Sequence, residues 1–382
     1  MQLTQTELAR LCEIRHWLHA HPELSRHEYE TARYVKSVLQ AEAAPDRFVD
    51  LEGAGFAAIY ESGAPGKTVL LRCELDALPI HERNSDLSHI STNPGVGHKC
   101  GHDGHMAIMI GVGFALAKKR SQTGRVVLLF QPDEETGTGA IGCLSHPNFT
   151  QITPDYAFAL HNLPGFPRGQ ILCKPGSFAS AVHFEAIRFT GRAAHSSQPH
   201  TGASPAKAIA ELIFAADQLA LDVAPDEGYA LVVPIHAQMG VASSGVAPSY
   251  GELGFTLRSD DDRIIAQMLK TIHTRAADLA AQYGLEYEFE TLEKFTATKN
   301  QAVAVEIIQQ TANDLMTSFV HTTEAFRWGE DFGAVTGMCE GAMFGLGAGE
   351  TTPPLHDQHY DFPNVLIEDG VRMFLGIVGR VV

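Results

Sequence analysis

The chain has 382 residues, 45% of them hydrophobic, with 28 basic and 45 acidic side chains and a formal net charge of −17. That length suits two domains, or one large one, with ample apolar material for a core. The negative balance disfavours nucleic acid and anionic membrane surfaces as partners, since both would repel it. No apolar run approaches the roughly 18–20 residues of a membrane span, and the first residues lack the basic and apolar regions of a signal peptide. Six cysteines, at 12, 73, 100, 143, 173 and 339, are scattered rather than spaced as a disulfide framework. A reducing cytoplasm is the expected location, and Asn148-Phe149-Thr150 is then a chance glycosylation triplet.

Apolar spacing predicts helices over 5–20 and 28–44 and strands over 56–61 and 68–75. Next comes Gly97-His98-Lys99-Cys100-Gly101-His102-Asp103-Gly104-His105, which packs one cysteine, three histidines and one aspartate into nine residues. Cys100 and His102 are one residue apart, so in an extended loop both can point at one centre. Glycines at 101 and 104 permit the tight backbone that such convergence needs. Thiolate plus imidazole is a Zn-type pair that also suits Mn, Co or Ni; the alternative is a histidine-rich surface loop. An apolar helix follows over 104–119, closed by Lys118-Lys119-Arg120, whose charge suits a helix C-terminus.

A strand over 126–131 runs into Gln131-Pro132-Asp133-Glu134-Glu135. Three adjacent acids at the end of a buried strand repel one another and lose hydration, so they call for a cation unless they form a solvated turn. Of two adjacent glutamates, one can hold a metal while the other moves a proton. Gly137-Thr138-Gly139-Ala140-Ile141-Gly142 matches G-x-G-x-x-G, but three carboxylates stand between it and the strand and would repel a pyrophosphate. A short helix is expected near 138–145 and a strand over 156–160 that ends at His161. This alternation predicts an α/β domain with a largely parallel sheet, whose sites lie at the carboxyl ends of its strands.

Near residue 180 the pattern changes to strand 182–190, helix 203–221, strands 229–239 and 251–258, helix 261–282 and strand 285–292. That β-α-β-β-α-β order is ferredoxin-like. Site-type residues resume only after it, where the apolar stretch 342–347 leads to a loop holding His356 and His359. The expected organisation is therefore a catalytic domain over 1–178 and 295–382 with a domain inserted over 179–294. The fold class is α/β, a mixed and largely parallel sheet sandwiched by helices, with an α+β insert.

Cys100-Gly101-His102-Asp103-Gly104-His105, Phe130-Gln131-Pro132-Asp133-Glu134-Glu135, Leu160-His161 and Leu355-His356 resemble the motifs of the M20 metallopeptidase family. With His19-Ala20-His21-Pro22-Glu23-Leu24 and Tyr360-Asp361-Phe362 at the two ends, the likeness spans nearly the whole chain and is closest to the family's amidohydrolase branch. The resemblance implies two divalent ions, Zn or Mn with Co and Ni as alternatives, held by Cys100, His102, Glu135, His161 and His356, with Cys100 bridging. It makes Glu134 the general base and His195 an oxyanion-stabilising group of the insert. The insert would then be a lid that also forms a homodimer contact. Arg258 ends a strand where a guanidinium can clamp a substrate carboxylate; an exposed salt-bridge arginine is the competing reading. Asp103 and His105 read as partners of the ligands, Asp76 as a residue close to the metals, His16, His19 and His21 as structural, His200 as a loop residue and His359 as a neighbour of His356.

The implied reaction is hydrolysis of an N-acyl amino acid to a carboxylic acid and a free amino acid by metal-activated water. Rivals are a metallo-dipeptidase or aminopeptidase, hydrolytic deamination, and a non-catalytic metal- or ligand-binding relative. Two departures bear on substrate: Gly245-Val246-Ala247-Pro248 stands where many relatives carry Asn-Val-Ile-Pro, and Cys73-Glu74 stands where Ala-Asp is common.

Overall fold

Apolar runs assemble two large sheets, of eight and four strands, in the computed structural model, which describes residues 3–223, 229–242 and 244–382. One unit comprises Met1–Phe178, Thr298–Glu324 and Asp331–Val382; the other comprises Ala179–Ala297 and Ala325–Glu330. Each has its own hydrophobic cluster.

The first unit holds an eight-stranded sheet in the order Arg47–Asp50, Phe56–Glu61, Arg125–Gln131, Thr68–Glu74, Tyr156–Pro164, Glu340–Gly349, Ile171–Cys173, Phe319–His321. The strands from Arg125–Gln131 to Glu340–Gly349 run parallel, while the pairings that flank them are antiparallel. Thr68–Glu74 is buried at every position, as a central strand covered on both faces must be.

Helices α1 (Gln5–Ala20), α2 (Tyr29–Glu42) and α3 (His102–Lys118) belong to this unit. A capping box starts α1: Thr4 accepts the Glu7 amide and Glu7 accepts the Thr4 amide. α3 is buried from His102 to Leu116, so it is apolar all round rather than along one stripe. A Cβ at Gly111 would meet Val371 and Leu11, which marks where helix Leu366–Val381 and α1 cross α3 closely.

Two boundaries differ from the sequence reading in ways that matter for the site. α3 starts at His102, not 104, because Gly101 takes φ 98° and turns the chain directly into the helix. Cys100 and His102 are thus separated by a sharp left-handed turn instead of sharing an extended loop. The strand predicted to end at 160 continues to Pro164, since its backbone stays paired with Glu340–Gly349, His161 lying opposite Gly345.

The second unit is a four-stranded antiparallel sheet, in the order Ala230–Met239, Tyr250–Ser259, Ala181–Thr190, Glu286–Phe295, with helices Ala206–Val223 and Asp262–Tyr283. In chain order this is β-α-β-β-α-β. Asp261 caps the second helix by accepting the Arg263 amide, and Gly284 ends it in the left-handed conformation. The short return segment 325–330, which the sequence reading leaves with the catalytic domain, joins this unit through the bridge between Ala179 and Phe326. Among the described residues no helix is long and apolar enough to cross a membrane.

Candidate metal centre

Four separate stretches of the first unit deliver donor atoms to one place. Cys100 precedes the Gly101 turn and His102 opens α3. Glu134 and Glu135 follow strand Arg125–Gln131, and His161 lies in Tyr156–Pro164. His356 comes from the loop after Glu340–Gly349, with φ 65° and its amide donated to the carbonyl of Lys99 at 2.7 Å. That backbone bond ties the His356 loop to the residue next to Cys100. A Cβ at Gly101 would sit 2.3 Å from Asn162 Oδ1, so a side chain at 101 is excluded by space as well as by φ.

The donors form overlapping triads. One atom each from Cys100, His102 and His161 lie within 4.8 Å of one another, and so do those of Cys100, Glu135 and His356. Cys100 Sγ is 3.4 Å from His161 Nε2, and His356 Nε2 is 3.7 Å from Glu135 Oε1. His102 Nε2 lies 3.9 Å from Glu134 Oε2 and 3.9 Å from Glu135 Oε1. Cys100, His102 and His161 are buried, Glu135 is half-buried and His356 is exposed, so the cluster opens to solvent on the His356 side.

Hydrogen bonds behind the cluster orient the imidazoles. His102 Nδ1 donates to the carbonyl of Asp76 at 2.8 Å, and His161 Nδ1 donates to the carbonyl of Asn162 at 2.9 Å. Both rings therefore turn an Nε2 lone pair toward the cluster, as metal-ligating histidines do. His102 Nε2 is buried yet has no hydrogen-bond partner among the described residues. Asp76, itself buried, accepts the Glu135 amide at 3.0 Å and the Ser25 hydroxyl at 2.7 Å, which fixes the backbone of the acidic turn.

The charge balance of the site calls for a cation. Burial pushes the Cys100 thiol well above its usual range, and Glu135, Glu134 and Glu74 push it further. Burial opposes protonation of His102, but the Asp76 carboxylate, 3.5 Å from its Nδ1, and the charges of Glu74, Asp76 and Glu135 outweigh that and raise it to about 10. A divalent ion removes both tensions, since it stabilises a thiolate and keeps a coordinating imidazole neutral. A set of one thiol, three imidazoles and carboxylates fits a borderline metal such as zinc.

Around this cluster lie two buried polar networks. In the first, His105 is held between Glu74 Oε2 at 2.7 Å and Asn162 Oδ1 at 2.5 Å, and Asn162 Nδ2 donates to Tyr360 Oη at 2.6 Å. Arg72 pairs with Glu74 and with Asp331. In the second, Arg15 Nε donates to Asp103 Oδ2 at 2.8 Å, His19 bridges Asp103 and Glu82, and Lys99 Nζ donates to Glu82 Oε1 at 2.5 Å. His19, His89 and Asp361 could also hold an ion by spacing alone, but Arg15 bonds to all three and already fills that place. Replacing Arg15 with methionine takes the guanidinium from buried Asp103 and leaves it the hydrogen bond from His19. The expected loss is about 3–5 kcal/mol of unfolding free energy, read by urea denaturation.

Sequence reasoning missed Arg15, Glu82, Lys99, Asn162 and Tyr360 as supports of this site. Only Lys99 and Tyr360 lie in stretches that stood out in the sequence, Lys99 in the nonapeptide 97–105 and Tyr360 in Tyr360-Asp361-Phe362. His195 and Arg258 belong to the second unit. His195 is exposed in the short strand Ala194–His195, its Nδ1 2.7 Å from Ser197 Oγ. Arg258 Nη1 donates to the Arg327 carbonyl at 2.5 Å. His200 and His359 are exposed.

Residues 70–380 match the model of peptidase family M20/M25/M40. The chain is 30% identical over 279 residues to N-acetyl-L-cysteine deacetylase of Bacillus subtilis, covering 72% of this chain and 66% of that protein. It is 25% identical to N-acetyldiaminopimelate deacetylase of Lactobacillus helveticus, covering 98% of each. Among solved structures it superposes on the Bacillus subtilis YXEP protein, a dinuclear metal-binding peptidase from the M20 family, with a TM-score of 0.83, 25% identity and 99% of each chain covered.

Proposed function

The chain belongs to peptidase family M20/M25/M40, and we propose that it hydrolyses the amide bond of N-acyl amino acids, releasing a carboxylic acid and a free amino acid. The observation that carries this reading is the pair of donor triads sharing Cys100, with Glu134 beside them. Cys100, His102, Glu135, His161 and His356 would hold two divalent ions, Zn or Mn, with the thiolate shared. When bound, the ions supply Lewis acidity toward water and the scissile carbonyl.

The side chains do the rest. Glu134 takes a proton from the attacking water and passes it to the amide nitrogen as the C–N bond breaks. His195, carried by the second unit acting as a lid, donates to the oxyanion of the tetrahedral intermediate. Replacing His195 with alanine is then expected to lower kcat by about 10²–10³-fold with a smaller change in KM, and an unchanged kcat/KM would remove it from the mechanism. Arg258 would clamp the substrate carboxylate. An added Cβ at Gly245 meets no atom within 4 Å among the described residues, so glycine is not required there by space, and it removes an amide side chain expected near the substrate backbone. A cytoplasmic homodimer formed through the second unit completes the reading.

The test is a panel of N-acetyl, N-benzoyl and indole-acetyl amino acids, given to chelated enzyme and then with Zn, Mn, Co or Ni restored. Metal-dependent release of free amino acid is expected. Ammonia without acyl acid would favour deamination, and cleavage confined to free dipeptides would favour a peptidase.

A further inference from the structure

Two buried carboxylates from elsewhere in the first unit hold the backbone of the acidic turn. Asp76 Oδ2 accepts the amide of Glu135 at 3.0 Å. Two residues earlier, Glu28 Oε1 accepts the amide of Asp133 at 2.7 Å. Asp133 takes φ 59°, a left-handed conformation that a non-glycine residue keeps only where its surroundings enforce it. Its carboxylate is anchored as well, by Thr136 Oγ1 at 2.6 Å, by Thr138 Oγ1 and by Arg26 Nε at 3.0 Å. Behind it the chain folds back so tightly that a Cβ at Gly139 would lie 1.8 Å from the Pro132 carbonyl oxygen.

Glu28 does not earn its place through its own helix. It stands at the N-cap position of α2, yet its side chain makes no capping bond there. It is fully buried, and Oε2 is buried without a hydrogen-bond partner among the described residues. Burying a carboxyl with one oxygen unsatisfied is unfavourable; the backbone amides of Glu28 itself, Asp133 and Arg26 act on it, and of these the bond to Asp133 is the one that reaches the acidic turn. That bond fixes the residue immediately before Glu134 in the conformation that sets where the next two side chains point.

We propose that Glu28 is a positioning residue for the hydrolysis: by holding the Asp133 amide it keeps the left-handed turn that aims Glu134 at the donor cluster. This rests on the reading of Glu134 as the general base. Glu28→Gln keeps an acceptor oxygen at the same place, whereas Glu28→Met fills the volume and removes it.

The first measurement is amide hydrogen exchange over residues 131–138 in the metal-free protein, which needs neither metal nor substrate. Exchange there is expected to rise in Glu28→Met and to stay at the wild-type level in Glu28→Gln, with strand 56–61 unchanged in both. The second is kinetics of the metal-loaded enzyme. Glu28→Met is expected to lower kcat by about 10²-fold, the loss associated with a misplaced catalytic group, with KM within threefold, while Glu28→Gln stays within threefold of wild type in both. Unchanged exchange over 131–138 in Glu28→Met overturns the proposal. So does an equal kcat loss in the two variants, or a Glu28→Met protein that fails to fold, which would assign the side chain to the fold instead of the turn. If the wild type cleaves no N-acyl amino acid, the reading of the reaction fails while the exchange result still decides the role of Glu28 in the turn.

Discussion

Replacing Glu134 with glutamine is expected to lower kcat by about 10²–10⁴-fold, the range for loss of a general acid–base group, while leaving the bound metal unchanged. The two adjacent glutamates differ in what else they face. Both present an oxygen 3.9 Å from His102 Nε2, so that contact does not separate them. Glu135 is also 3.7 Å from His356 Nε2, shares a triad with Cys100, and has its amide pinned by Asp76. In the proposed mechanism those ties make Glu135 a ligand and leave Glu134 to carry the proton. Metal analysis beside the kinetics makes the distinction sharp: Glu135→Gln should lose metal together with activity, Glu134→Gln activity alone. Loss of metal in Glu134→Gln would make Glu134 a ligand and leave the base unassigned.

What could be read from the sequence and what could not divide along a physical line. The first sheet announced itself through runs such as 126–131, buried from Val126 to Gln131, because a strand covered on both faces must be continuously apolar. The second unit announced itself through the alternation of strand and amphipathic helix spacing. Cys100, His102, Glu134, Glu135, His161 and His356 stood out because metal-type side chains at the ends of apolar runs are costly without a partner, and the fold draws them together. The supports were invisible for the opposite reason. Arg15 and His19 lie on a helix with charged and apolar residues around its whole circumference, so spacing gave no sign that they face inward, where both are fully buried. Glu82 and Lys99 lie outside every helix and strand expected from the sequence, although they pair with each other in the core. Gly101 was legible as a flexible residue but not as the pivot that starts α3 two residues early. Its φ of 98°, and the Asn162 side chain that a Cβ at 101 would overlap, appear only in the fold.

Cys100 should be the costliest single residue to lose, because it alone belongs to both the triad with His102 and His161 and the triad with Glu135 and His356. Removing His161 or His356 takes one donor from one triad; Cys100→Ala takes one from each. The expected result is that His356→Ala retains one ion through dialysis, whereas Cys100→Ala retains none. Activity of Cys100→Ala should fall by about 10³-fold or more, since the Lewis acidity of the ions is worth several kcal/mol in the transition state. A thermal measurement separates metal loss from misfolding. An ion that binds only the native state stabilises it by RT ln(1 + [L]/Kd), so chelation should lower the Tm of the wild type. The same chelator should leave Cys100→Ala unmoved, with its Tm close to that of the chelated wild type. Cys100→Ala that keeps one ion and shifts its Tm on chelation would show that the thiolate serves one triad only, and the shared-ligand arrangement would give way to two separate sites.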